Sequence, residues 1–279
     1  MPENQIAVRI DVDSVRDVAY LPQLFDLLER LDIRATFFLA TGPDKVALNL
    51  LRYITHPRLY LKFLRSRPLR YGLQSFEGLV RTQNVEEAYP SVLKSVSKKH
   101  EMGLHGYDHY VWMNTVQGVD DETVARWISR GTEALEAVTG VCARSFASPG
   151  FTVTDGMLRA IDSFCFDYSS DFKSSSPMSP FYPEIGEKTS QVLQVPVSMD
   201  SIGELLGQGI KKEDILPKIR ASIDVWHSMG LPFVLFIHPA YEVGCEARLF
   251  SSMLEEWACD PHLTFLTLAQ IAQQWKVRL

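Results

Sequence analysis

The chain has 279 residues, 46% of them hydrophobic, and a formal net charge of −6. That length suits one large α/β domain or two small ones, and the acidic balance argues against general nucleic-acid binding. Four scattered cysteines (Cys142, Cys165, Cys245, Cys259) form no C-x-x-C pair, which excludes a zinc knuckle or dithiol motif; core or semi-buried thiols in a reducing compartment are expected, with two disulfides as the alternative.

Short apolar runs alternate with longer helical patterns. Strands are predicted at 6–10, 35–39, 101–105, 144–148, 192–197, 232–238 and 263–267, and several are apolar throughout, as in strands covered on both faces. Helices are predicted near 19–31, 85–99, 120–139, 153–163, 211–229, 246–257 and 267–276. Asp120 marks a helix start and Gly140 a stop. This alternation predicts a parallel sheet in a single domain over 1–279, a distorted or incomplete (β/α) barrel. Neither a basic leader with an apolar core nor a membrane-length apolar run is present, so no signal peptide and no spanning helix are expected.

Segment 43–76 breaks the rhythm. It carries Lys45, Arg52, Arg58, Lys62, Arg65, Arg67 and Arg70 against the single acid Asp44, with leucines and aromatics interleaved. One reading is an amphipathic helical pair with a solvated basic face. The other is a surface that meets anionic lipid or a phosphate, each basic residue there contributing on the order of 1 kcal/mol.

Four strand ends carry polar residues suited to chemistry. "RIDVDS" places Asp11 and Asp13 two apart, which puts both on one strand face, where like charges repel unless a cation joins them. The alternative is a loop start with one Asp as helix cap. "GLHGYDHY" places His105 and His109 at i, i+4. One carboxylate and two imidazoles make a three-ligand set with open positions, acceptable to zinc, manganese, cobalt or iron, and the second Asp then serves as base. His238, ending "LFIH", suits a general acid for amide cleavage, although a histidine there is also an ordinary core residue. Asp171 in "FDYSSDF" is a candidate to orient an imidazole, or else a loop cap. An oxyanion is expected to find a backbone N–H near Tyr110 or Val111.

"RIDVDS", "ATFFLATGPD", "HEMGLHGYDHYVW", "YSSDF" and "IHPAYEVGC" together resemble the polysaccharide deacetylase (NodB homology) family, most closely its 4-deoxy-4-formamido-L-arabinose-phosphoundecaprenol deformylase branch. The resemblance implies a divalent metal on Asp13, His105 and His109, with Asp11 as base and His238 as acid. It also implies a formylated aminoarabinose on undecaprenyl phosphate as substrate, at the cytoplasmic face of the inner membrane, with the basic insert on headgroups and phosphate. A deacetylase of soluble chitooligosaccharide or peptidoglycan-type glycans, and a metal-free binding module, are the competing readings. Two departures stand out. Ala147 occupies the place of the arginine in the family's R-x-P motif, and Phe151 and Thr152 replace the branch's tryptophan and arginine.

Overall fold

A computed structural model describes residues 4–45, 48 and 83–279. The basic residues Arg52, Arg58, Lys62, Arg65, Arg67 and Arg70 lie outside the described residues, so the expectation for the insert stands on sequence alone.

The chain order among the described residues is β1 (Asn4–Val12), α1 (Val15–Arg30), β2 (Thr36–Thr41), α2 (Val85–Ala88), α3 (Pro90–Ser97), β3 (Glu101–Tyr107), α4 (His109–Thr115), α5 (Asp121–Thr139) and β4 (Ser145–Phe146). It continues with α6 (Asp155–Asp162), β5 (Tyr168–Ser169), β6 (Glu184–Ile185), β7 (Lys188–Thr189), β8 (Leu193–Gln194), α7 (Ile202–Gly207) and α8 (Lys212–Ser228). The last elements are β9 (Phe233–Ile237), α9 (Pro239–Glu242), α10 (Ala247–Ala258), β10 (Leu263–Phe265) and α11 (Leu268–Lys276). All pairings in the main sheet are parallel. The strand β1 is its pivot, joined to β10 along Asn4–Ile6, to β9 along Ile6–Ile10 and to β2 along Arg9–Val12. From β2 the order runs β3, β4, β5, β8. No ladder joins β8 to β9. Ser198 bridges them instead, donating its N–H to the Val234 carbonyl at 3.0 Å and accepting the Val234 N–H on Oγ at 2.8 Å. The result is the distorted, incomplete barrel that the alternating pattern predicts.

Helix ends follow their caps. Ser14 caps α1 and Asp120 caps α5, each accepting an N–H from three residues on, and Gly140 ends α5 at φ 75°. The predicted helix 85–99 is split in two. Pro90 starts α3, and the residue before a proline is pushed out of the helical region, as Tyr89 is at φ −146°, ψ 68°. The hairpin β6–β7, two residues a side and largely exposed, escaped the sequence reading because it carries no apolar run.

Strand parity sorts the core into two layers. Ile6, Val8, Ile10 and Val12 pack outward with the helices, alongside Leu104, Phe233, Leu235 and Ile237. Ala7, Phe38, Ala147, Tyr168, Leu193, Val234 and Phe236 fill the lumen. Because successive side chains alternate, Arg9, Asp11 and Asp13 share the lumen face with Ala7. His105 and His238 lie on the lumen parity of β3 and β9.

Candidate active site

The cluster assembles at the carboxyl ends of β1, β3 and β9, where open α/β folds build their sites. His105 comes from β3 itself. His109 opens α4, and the chain reaches it through two residues with positive φ, Gly106 (71°) and Asp108 (55°). The non-glycine Asp108 tolerates that conformation because its side chain is tied down twice. It accepts the Val111 N–H at 3.0 Å and the Lys45 ammonium at 2.5 Å. This tight turn, rather than a continuous helix, lets the i, i+4 histidines converge. Their ring centroids lie 5.3 Å apart. The Val111 N–H is therefore engaged by Asp108 and does not match the expectation of a free oxyanion donor.

Asp13 is the centre. His105 Nε2 lies 3.2 Å from its Oδ1, and Nε2 atoms of His109 and His238 each lie 3.4 Å from its Oδ2. Burial pushes the Asp13 carboxyl up, but His109 first, then His105 and His238, hold it well below the ordinary carboxylate range. Burial lowers His109. Burial also opposes the charged form of His238, yet Asp13, Glu242, Asp11 and Asp17 together raise it to about 9.

The donors fit a divalent cation. Ligand atoms of Asp13, His105 and His109 all lie within 4.8 Å of one another. His105 Nδ1 lies 2.8 Å from the Ala147 carbonyl, and a carbonyl can only accept, so the ring proton sits on Nδ1. Its Nε2 is thereby turned toward Asp13 Oδ1, 3.2 Å away, where a shared cation would find both atoms. Asp13 Oδ1 and His109 Nδ1 are buried and have no hydrogen-bond partner among the described residues. Two imidazoles and one carboxylate, with no thiolate, are the donor set of an open site rather than of a thiolate-rich structural cage.

Asp11 lies at the edge of this set, its Oδ2 3.8 Å from His105 Nε2. Both its oxygens are taken by Arg9, through Nε to Oδ1 and Nη2 to Oδ2, each at 2.7 Å. Neither Asp11 nor Asp13 caps α1, since Ser14 does.

Asp171 has different partners from those expected of it. Its Oδ1 accepts the Ser148 N–H at 2.7 Å, and its Oδ2 accepts the Ser169 hydroxyl and, at 2.9 Å, the Gln194 amide. None of these bonds goes to an imidazole. The sequence suggested otherwise because Asp171 follows a strand end, but it is fully buried and knits the β4, β5 and β8 ends together.

Three positioning groups escaped the sequence reading. Arg9 is fully buried and reads there as part of an apolar strand. Asp17 accepts the Asp13 N–H and Ser14 hydroxyl on Oδ2 and the Ala240 N–H on Oδ1, tying the Asp13 backbone to the turn after His238. Burial, then Asp13, raises it to about 6. The S-x-x-D pattern of a capping box was its available signal. Glu242 accepts the N–H groups of His238 at 2.8 Å and Gly203 at 3.0 Å, and burial raises it to about 7.

Known proteins place this geometry in context. Residues 1–168 match the family model described as polysaccharide deacetylase. A curated relative from Wigglesworthia glossinidia brevipalpis, named as the 4-deoxy-4-formamido-L-arabinose-phosphoundecaprenol deformylase ArnD, is 30% identical over 190 residues, 67% of this chain and 65% of that protein. A relative of the same name from Shewanella sediminis is 28% identical over 211 residues, 73% of this chain and 66% of its own length. The chain thus spans just under two thirds of the length of the curated relatives it matches. The crystal structure of a polysaccharide deacetylase from Mycobacterium smegmatis superposes with a TM-score of 0.71 at 18% identity, over 100% of this chain and 92% of that one, which shows a shared fold. With residues 1–168 matched, more than half of its length, the chain belongs to the polysaccharide deacetylase family.

Proposed function

We propose that this chain hydrolyses the N-acyl group of an amino sugar with the help of a divalent cation held by Asp13, His105 and His109. The observation that carries the reading is the Asp13 carboxylate, met by three imidazoles at 3.2 to 3.4 Å while Asp11 is gripped separately by Arg9. A cation bound there supplies Lewis acidity toward the acyl carbonyl and lowers the pKa of water toward ~7.

The remaining work belongs to the protein's own side chains. Asp11 takes the proton of the attacking water. His238, whose backbone is fixed by Glu242 and whose ring is drawn to the charged form by the surrounding carboxylates, protonates the departing amine. Without that proton the amine leaves poorly, so acid catalysis is the second requirement after activation of water.

The finer reading is a formyl group on a 4-deoxy-4-formamido-arabinose carried by undecaprenyl phosphate. The names of the two curated relatives support it, as does the cationic segment 43–76. In this reading Arg52, Arg58, Lys62, Arg65, Arg67 and Arg70 meet the carrier phosphate and anionic headgroups on the cytoplasmic face of the membrane. No described helix is long and apolar enough to cross a membrane, so attachment would be peripheral. The test is mass-spectrometric detection of the free amine from formylated and acetylated versions of one lipid-linked amino sugar, set beside a soluble acetylated chitooligosaccharide. Turnover of the lipid-linked formamide supports the proposal. Turnover of the soluble glycan alone points to the alternative glycan deacetylase.

A further inference from the structure

Asp11 and Asp13 stand two residues apart on one face, and Asp11 is only slightly further from His105 Nε2 than Asp13 is, 3.8 against 3.2 Å. Toward His105 the two carboxylates are close rivals, although only Asp13 also meets His109, at 3.4 Å. A second difference is Arg9, two residues earlier on the same face, which pairs with Asp11.

Its guanidinium is wholly buried and fixed on every side. Nε and Nη2 hold the two oxygens of Asp11 at 2.7 Å each. Nη1 donates to the Ser170 carbonyl and to Ser170 Oγ at 3.1 Å, so the fork spans the lumen from β1 to the end of β5. The rings of Phe38 and Phe151 lie 5.1 and 4.8 Å from its central carbon. Phe151 is held there with a left-handed backbone, φ 54°, a conformation that is costly for an aromatic residue and that persists only when its surroundings impose it. A planar, always-charged fork in such a slot has one orientation, and that orientation occupies both Asp11 oxygens.

We propose that Arg9 is a positioning residue that sorts the two aspartates: by occupying both oxygens of Asp11 it keeps that carboxylate out of the cation's coordination shell and leaves Asp13 as the one acidic ligand. This rests on the reading of Asp13, His105 and His109 as a cation site. The consequence is chemical. Were Asp11 to bind the cation, it would fill a position that a hydrolytic site keeps open for water and substrate, and the base would be lost with it.

The test uses Co²⁺, titrated into metal-free full-length protein and followed by its visible absorption. Wild type and Asp11→Asn should show the same band, because Asp11 is not a ligand. Arg9→Met should bind about tenfold or more tightly, the scale on which outer partners tune metal affinity, with a band altered by an added oxygen ligand. The double variant Arg9→Met with Asp11→Asn should return to the wild-type band. A folded Arg9→Met variant with wild-type affinity and spectrum overturns the proposal. So does an Asp11→Asn variant whose band shifts, a result that stands even if Arg9→Met fails to fold. Wild-type protein that binds no Co²⁺ would instead refute the cation site itself.

Discussion

The Nδ1 of His105 donates to the Ala147 carbonyl at 2.8 Å, which fixes the ring and turns Nε2 toward Asp13, 3.2 Å away. Asp11 is held separately, by Arg9. Under the proposed roles, aiming a ligand and holding a base are divided between a backbone carbonyl just past β4 and a side chain on β1.

If Asp13, His105 and His109 hold a cation, binding must stabilise the fold. At 100 times the dissociation constant the gain is about 2.7 kcal/mol. Differential scanning calorimetry should show a rise in Tm for wild type on adding Zn²⁺ or Mn²⁺. His109→Ala, which deletes one of three ligands, should lose most of that rise.

Asp11→Asn and His238→Gln each remove one proton-handling group. Each should lower kcat by roughly 10²–10⁴, with cation content unchanged and KM moved far less. For His238→Gln the deficit should shrink for substrates whose amine is a better leaving group, since these need less protonation. Equal deficits across a leaving-group series would count against His238 as the acid.

The bonds of Asp171 assign it to architecture. Asp171→Ala leaves the Ser148 N–H and the Gln194 amide without their acceptor, and each buried unpaired group costs about 1–3 kcal/mol. Urea titration should show that loss. A helper of the acid would instead shift the basic limb of the pH–rate profile, and Asp171→Ala should leave that limb in place.

His100 makes stability depend on pH. It is buried against Phe25 and Phe37, and burial, with Arg34 and Lys99 nearby, lowers it from 6.5 to about 4. The folded state therefore binds this proton less well than the unfolded chain. Its contribution is complete above pH 6.5 and is lost as pH falls toward 4, at up to about 1.4 kcal/mol per pH unit. Chemical denaturation at pH 7 and pH 5 should show the decline, and His100→Phe should flatten it relative to wild type.

Much of this was legible from residue order. The long strands and helices announced themselves because β1, β2, β3 and β9 are built around runs of buried apolar residues and α5 carries both of its caps. The convergence of Asp13, His105 and His109 was legible because these residues sit at strand ends in short, recognisable strings. Arg9 was not, because a lone arginine inside an apolar run gives no sign that its charge is met from within the lumen. Asp171 misled for a related reason. A strand-end carboxylate looks the same in sequence whether it faces the mouth of the barrel or, as here, binds the neighbouring strand ends below it. Glu242 and Asp17 accept N–H groups from segments far away in sequence, 39 and 223 residues distant, and no local pattern encodes that.

The most direct test of the central claim is release of the free amine from a formylated, lipid-linked amino sugar, followed by mass spectrometry through one cycle of chelation and metal return. The account predicts turnover that disappears when the cation is stripped and reappears on adding back one equivalent of Zn²⁺, Mn²⁺ or Co²⁺, with no recovery in His105→Ala. Undiminished turnover by protein shown to be metal-free would contradict it.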